Sequence, residues 1–113
     1  YSDNPIILRQ LAKAELLLDT PNSNSSALKH LEEAIRMTPE SPPTWKQLAV
    51  AQGRNGKIAL AQLSLAEEAL LRKNFTRALK NALFAKKNLQ QDIYAYQRAL
   101  DIINYAKQAR NFE

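Results

Sequence analysis

The chain has 113 residues, 45% of them hydrophobic and 24% charged, with 16 basic and 11 acidic side chains and a formal charge of +5. That composition fits one globular domain, residues 1–113, and excludes a disordered or collagen-like chain. With no cysteine and a single histidine, it also excludes a disulfide framework, a thiol nucleophile, a cysteine zinc site and a paired-histidine metal motif.

Ala and Leu supply 34 of the residues and glycine only two, a balance that favours helices over turn-rich β folds. No apolar run reaches the roughly 18–20 residues a membrane span needs. No signal peptide opens the sequence. The first residue is Tyr1, and Asn4-Pro5 reads as an N-cap followed by Pro at the first helical position. The expectation is a piece of a longer protein that starts just before a helix.

In chain order, the first predicted helix runs from Pro5 to Leu18, with Leu8, Leu11, Ala12 and Leu18 as its apolar stripe. The polar run Asp19 to Ser26 reads as a loop. The second helix covers Ser26 to Met37. Ala27, Leu28, Leu31, Ala34 and Ile35 recur at helical spacing, opposite Lys29, His30, Glu32 and Glu33. Pro39 stops it. Ser41-Pro42 starts a third helix carrying Trp45, Leu48 and Ala49, and Asn55-Gly56 ends it in a short turn.

The fourth helix, Lys57 to Arg72, carries two apolar stripes. Ile58, Ala61, Leu65 and Ala69 form one; Ala59, Leu63, Ala66 and Leu70 lie about 100° around from them. Such a helix needs neighbours on two sides. After a turn at Lys73-Asn74, a fifth helix from Phe75 to Asn88 shows Phe75, Ala78, Ala82 and Ala85. Asp92 caps a sixth, with Tyr96, Ala99, Leu100, Ile103 and Ala106, and Arg110 to Glu113 are expected to fray. The prediction is all-α: six antiparallel helices in three pairs, stacked as an α-solenoid with alanine at close helix approaches.

The motif spacing resembles the tetratricopeptide repeat, whose period is about 34 residues. Trp45, Leu48 and Ala49 match its first helix, Gly56 its turn and Ala61 the small residue of its second helix. Ala27, Leu31, Ala34 and Pro39 match the second half of the preceding repeat, and Phe75, Ala78, Ala82 and Ala85 a further half. Gln52 stands where an aromatic is common and Glu68 where Ala is common, and the first loop is about three residues too long.

A narrower resemblance covers Pro5 to Lys107. The segment Trp45 to Gly56, the run Leu65-Ala66-Glu67-Glu68-Ala69-Leu70-Leu71 and the final Arg98-Ala99-Leu100-Asp101-Ile102 carry it. They resemble the C-terminal repeat region of bacterial zinc metallopeptidases of the β-barrel-assembly-enhancing type. The resemblance implies an extracytoplasmic, periplasmic parent whose upstream domain holds an H-E-x-x-H zinc site. Its repeats would hold client or substrate proteins. No zinc ligand carries over to this chain, because His30 has no second histidine four residues away. Neither a cofactor nor a metal is assigned to these residues.

The resemblance also implies a concave face lined by the first helix of each repeat. On it, Arg9, Lys13, Lys46, Val50 and Arg54 are the predicted groove residues, with cationic heads and aliphatic stems suited to an extended peptide, its carboxylates or its C-terminus. The chain itself carries no nucleophile–base pair and no Gly-rich phosphate loop, so it reads as a non-catalytic protein-binding domain. Glu32-Glu33 and Glu67-Glu68 read as solvated or groove-facing charge, since adjacent helical side chains diverge. His30 reads as a solvated surface residue, and Trp45 and Tyr96 as core; Tyr94 and Tyr105 remain open, facing a missing domain or solvent. The alternative functions are a freestanding adaptor and a basic nucleic-acid-binding repeat using Arg72, Lys73, Arg77, Lys80, Lys86 and Lys87. No aromatic is interleaved with that cluster in the sequence reading. A membrane-surface role is set aside because the apolar stripes are taken up by packing. Apolar stripes left over on the first or last helix would be contacts for another domain.

Overall fold

A computed structural model describes residues 4–112; Tyr1 and Glu113 lie outside the described residues. Six helices follow in order: α1 (Pro5–Leu18), α2 (Pro21–Met37), α3 (Pro42–Arg54), α4 (Ile58–Leu71), α5 (Phe75–Lys87) and α6 (Ile93–Arg110). No strand occurs among the described residues, and the chain is all-α as expected. Short connections turn each helix back on the one before. The result is elongated, 42 × 26 × 21 Å.

The local signals act as their chemistry dictates. Asn4 Oδ1 accepts from the Ile6 N–H at 2.8 Å, and Pro5 fills the first helical position. Gly56 takes a left-handed φ of 77° and turns the chain between α3 and α4. Lys73 takes the same region at 62° with a Cβ to accommodate.

The first loop is the clearest correction. The expected loop through Ser26 is only Asp19-Thr20, and α2 begins at Pro21. Asp19 closes α1 in a left-handed conformation, its N–H bonded to the Glu15 carbonyl. Thr20 then opens α2 with a capping box. Its hydroxyl accepts from the Ser23 N–H at 3.1 Å, and the Thr20 N–H donates to Ser23 Oγ at 2.9 Å. Pro21 has no N–H to lose at that position. We expect Thr20→Ala to lower stability by about 1 kcal/mol, read from the urea midpoint.

Two apolar clusters divide the core. Ala12, Ala27, Leu28, Leu31, Leu48 and Ala51 form one across α1–α3, with Trp45 half-buried against it. The other spans α4–α6 and includes Leu63, Ala66, Ala69, Ala82, Ile102 and Ile103, with Tyr96 against it. Leu31 is fully enclosed, so Leu31→Ala should cost about 3 kcal/mol in a denaturation experiment. α3 from the first cluster packs on α4 from the second.

α4 is the internal helix that its two stripes require: α3, α5 and α6 all pack on it. Beyond sequential neighbours, α1 reaches α3 and α4 reaches α6, but α3 does not reach α5. Among the first helices, α1 and α3 are therefore in direct contact, whereas α5 does not touch α3. Three expected stripe members also face solvent: Leu11, Leu18 and Ile58 are exposed. On α1, Leu11 and Leu18 line up with exposed Ile7, on the side of the helix away from Arg9 and Lys13.

Candidate functional site

α1 and α3 lie side by side and leave an open groove of about 620 Å³ between them. Its walls follow from helical spacing. Arg9, Lys13, Leu16 and Leu17 lie one or two turns apart on α1; Lys46, Val50 and Arg54 repeat every four residues on α3. Gln47 completes the lining. All five residues read from the sequence thus border one groove. A shallower depression lined by Ile6, Arg9, Gln10, Lys13 and Gln47 continues it toward the start of α1.

The four cations are not equivalent. Arg9 Nε donates to Gln47 Oε1 at 2.8 Å, and the Gln47 amide donates back to the Arg9 carbonyl at 3.4 Å. This pair stitches α1 to α3 and fixes the Arg9 head along the groove wall. Arg54 is committed further. Its guanidinium donates to the Leu16 carbonyl, one of the acceptors left open at the end of α1, and reaches Asp19 at 3.5 Å. Asn24, buried, donates to the same Asp19 carboxylate at 2.9 Å. Asn55 donates to the Asn24 carbonyl at 2.9 Å. Arg54 therefore ties the end of α1 to the α2 and α3 termini. Lys13 and Lys46 are exposed and have no ion-pair partner among the described residues.

Among the described residues no carboxylate lines the groove, and Leu16, Leu17 and Val50 set apolar surface between the charges. The arrangement suits a segment that carries both carboxylates and an aliphatic side chain. Exposed ion pairs are worth only about 0.2–1 kcal/mol each, so four cations give modest, salt-sensitive affinity rather than a tight clamp. Arg54→Ala should also cost stability, about 1–2 kcal/mol by urea denaturation, whereas Lys46→Ala should leave the midpoint within about 0.5 kcal/mol.

Other sequence expectations fare differently. His30 is half-buried rather than solvated, its Nδ1 2.8 Å from Glu15 Oε1 across α1 and α2. The Glu67-Glu68 pair is buried on α4 rather than solvated or groove-facing. Glu67 accepts two 2.7 Å bonds from Arg98 of α6. That bond, against the opposing effect of burial, raises the Arg98 pKa above the ordinary guanidinium value. Glu68 accepts from Arg72 at 2.9 Å and from Arg77 of α5 at 3.3 Å. Two members of the predicted basic cluster are therefore bound internally, which leaves its lysines for any outside partner. Gln52 is buried where an aromatic is common, and accepts from Ser64 Oγ at 2.6 Å. Sequence reasoning missed this polar pair and the Asp19–Asn24–Asn55 network. Among the described residues, no three His, Cys, Asp or Glu side chains gather as a metal site.

The fold and the site define an all-α chain with a basic, partly apolar groove between two of its helices. No family model, curated protein or solved structure matches the sequence.

Proposed function

We propose that this chain is a non-catalytic protein-interaction domain whose α1–α3 groove holds an extended segment of a client protein. One observation carries the reading: four cations and three aliphatic side chains border a groove that no carboxylate lines among the described residues. Long-range attraction would bring an acidic segment to the groove, and Leu16, Leu17 and Val50 would then receive an aliphatic side chain. Lys13 and Lys46 are the contact cations; Arg9 and Arg54 hold the walls while presenting charge. The α1–α2 and α3–α4 pairs fit a tetratricopeptide-like stack with these residues on its inner face.

The wider reading makes the chain the client-binding arm of an extracytoplasmic, periplasmic zinc metalloprotease, with the catalytic zinc in an upstream domain. It rests on the motif resemblance of Trp45 to Gly56 and Leu65 to Leu71. Docking would raise the client's effective concentration at the protease site. Translating the native gene upstream of the Tyr1 codon tests it. A signal segment followed by H-E-x-x-H supports the arm; a start codon next to Tyr1 contradicts it and leaves a freestanding adaptor.

A further inference from the structure

Four large apolar side chains stand in solvent where α5 ends and α6 begins: Leu83 and Phe84 are 40% and 47% exposed, Ile93 and Tyr94 78% and 89%. None is part of either core cluster. The short connection at 88–92 joins the last turns of α5 to the first turn of α6, so all four lie at one end of that helix pair. Along α5, Lys80, Leu83, Phe84 and Lys87 follow one another at helical spacing on the exposed face, opposite buried Ala78, Ala82 and Ala85. By sequence alone, apolar stripes are expected to be taken up in packing, with no aromatic interleaved among these cations. The structure instead sets Phe84 between Lys80 and Lys87, outside the core.

The charge at this end is mainly basic, with Asp92 as an acidic neighbour. Lys80 and Lys87 are exposed and have no ion-pair partner among the described residues. The nearby Asp92 carboxylate accepts from the Ala95 N–H at 3.1 Å as the cap of α6. An outer face that mixes lysine with aromatic and aliphatic side chains is the composition of a helix lying on an anionic bilayer.

We propose that this end of α5 and α6 is a docking surface for an anionic lipid bilayer. Phe84, Ile93 and Tyr94 enter the boundary between headgroups and acyl chains, and Lys80 and Lys87 meet the lipid phosphates. The contact is peripheral, since no described helix is long and apolar enough to cross a membrane. Single-stranded nucleic acid would use the same cations with Phe84 and Tyr94 as stacking faces. Leu83 and Ile93 favour lipid, because an aliphatic side chain gives a base no π face and suits an acyl chain. The surface is separate from the α1–α3 groove and does not depend on it.

Co-sedimentation with vesicles of equal parts phosphatidylglycerol and phosphatidylcholine tests the proposal. The chain should pellet with these at low salt and not with phosphatidylcholine alone. Removing one lysine's charge should lower the partition coefficient about fivefold, so the K80E/K87E variant should lose about twenty-fivefold or more. The F84S/I93S variant, altered only at exposed positions, should keep its circular dichroism and lose about tenfold or more. Lys29→Glu on α2 changes net charge from an exposed position elsewhere and should stay within about twofold of wild type. Failure to pellet with anionic vesicles overturns the proposal. So does binding that F84S/I93S retains, or that Lys29→Glu weakens as much as K80E/K87E does. Binding to a single-stranded oligonucleotide with no vesicle binding would replace lipid with nucleic acid.

Discussion

Reversing Lys13 and Lys46 together is expected to weaken binding of an acidic peptide to this chain by about thirty- to a hundred-and-fiftyfold. Each reversal removes an exposed ion pair and adds a repulsion of similar size, so each costs about 1–1.5 kcal/mol. Both side chains are exposed and support no neighbouring element, so the double variant should unfold at the wild-type urea concentration. Isothermal titration with a peptide that combines glutamates with leucine reads the affinity. The wild-type affinity should fall steeply with added salt, and the variant should show little left to screen. Equal affinity of the two proteins would place the peptide elsewhere. A variant with a lowered unfolding midpoint would instead give these lysines a structural role.

The second large effect concerns stability. Removing both Arg72 and Arg77 should cost about 3 kcal/mol, while Glu68→Leu should cost far less. The asymmetry comes from burial: the Glu68 side chain is 4% exposed, and its two arginines are 48% and 39% exposed. Without the arginines, a carboxylate stays in the interior with no countercharge. Without the carboxylate, the arginines turn into water, and leucine fills space among apolar neighbours. Urea denaturation of R72A/R77A and E68L measures both. Equal losses would mean the network acts through packing rather than through compensation of a buried charge.

The helices were legible because their signals are local. Asn4-Pro5, Ser41-Pro42 and Asp92 each announce a helix start, and Asn55-Gly56 and Lys73-Asn74 announce turns. The loop before α2 misled because Pro21, Asn22, Ser23, Asn24, Ser25 and Ser26 have loop-like composition, yet Thr20 and Ser23 satisfy each other's backbone in a capping box. Composition averages over such a pairing; the spacing of Thr20 and Ser23 contains it. Leu11 and Leu18 misled in the opposite way. Their period is helical, but a period does not say whether a neighbour exists to cover it.

Spacing alone puts Lys46, Val50 and Arg54 on one face, and Arg9 and Lys13 on another; that the two faces border one groove was implied by the repeat resemblance, not by spacing. Their division of labour was not legible. That Arg54 closes the end of α1 depends on Asp19 and Asn24, distant in sequence. The burial of Glu67 and Glu68 was hidden for a related reason. Adjacent glutamates on a helix look solvated until Arg98 and Arg77 arrive from α6 and α5. Long-range pairs of this kind decide which charges remain for a partner, and a single sequence gives no sign of them.

The central claim is that the α1–α3 groove is where a client segment binds. Amide chemical shifts, followed as an acidic, leucine-containing peptide is added, test it most directly. The account predicts that the largest saturable changes fall between Arg9 and Leu17 and between Lys46 and Arg54. Saturable changes centred on α5 and α6, with α1 and α3 unmoved, would contradict it.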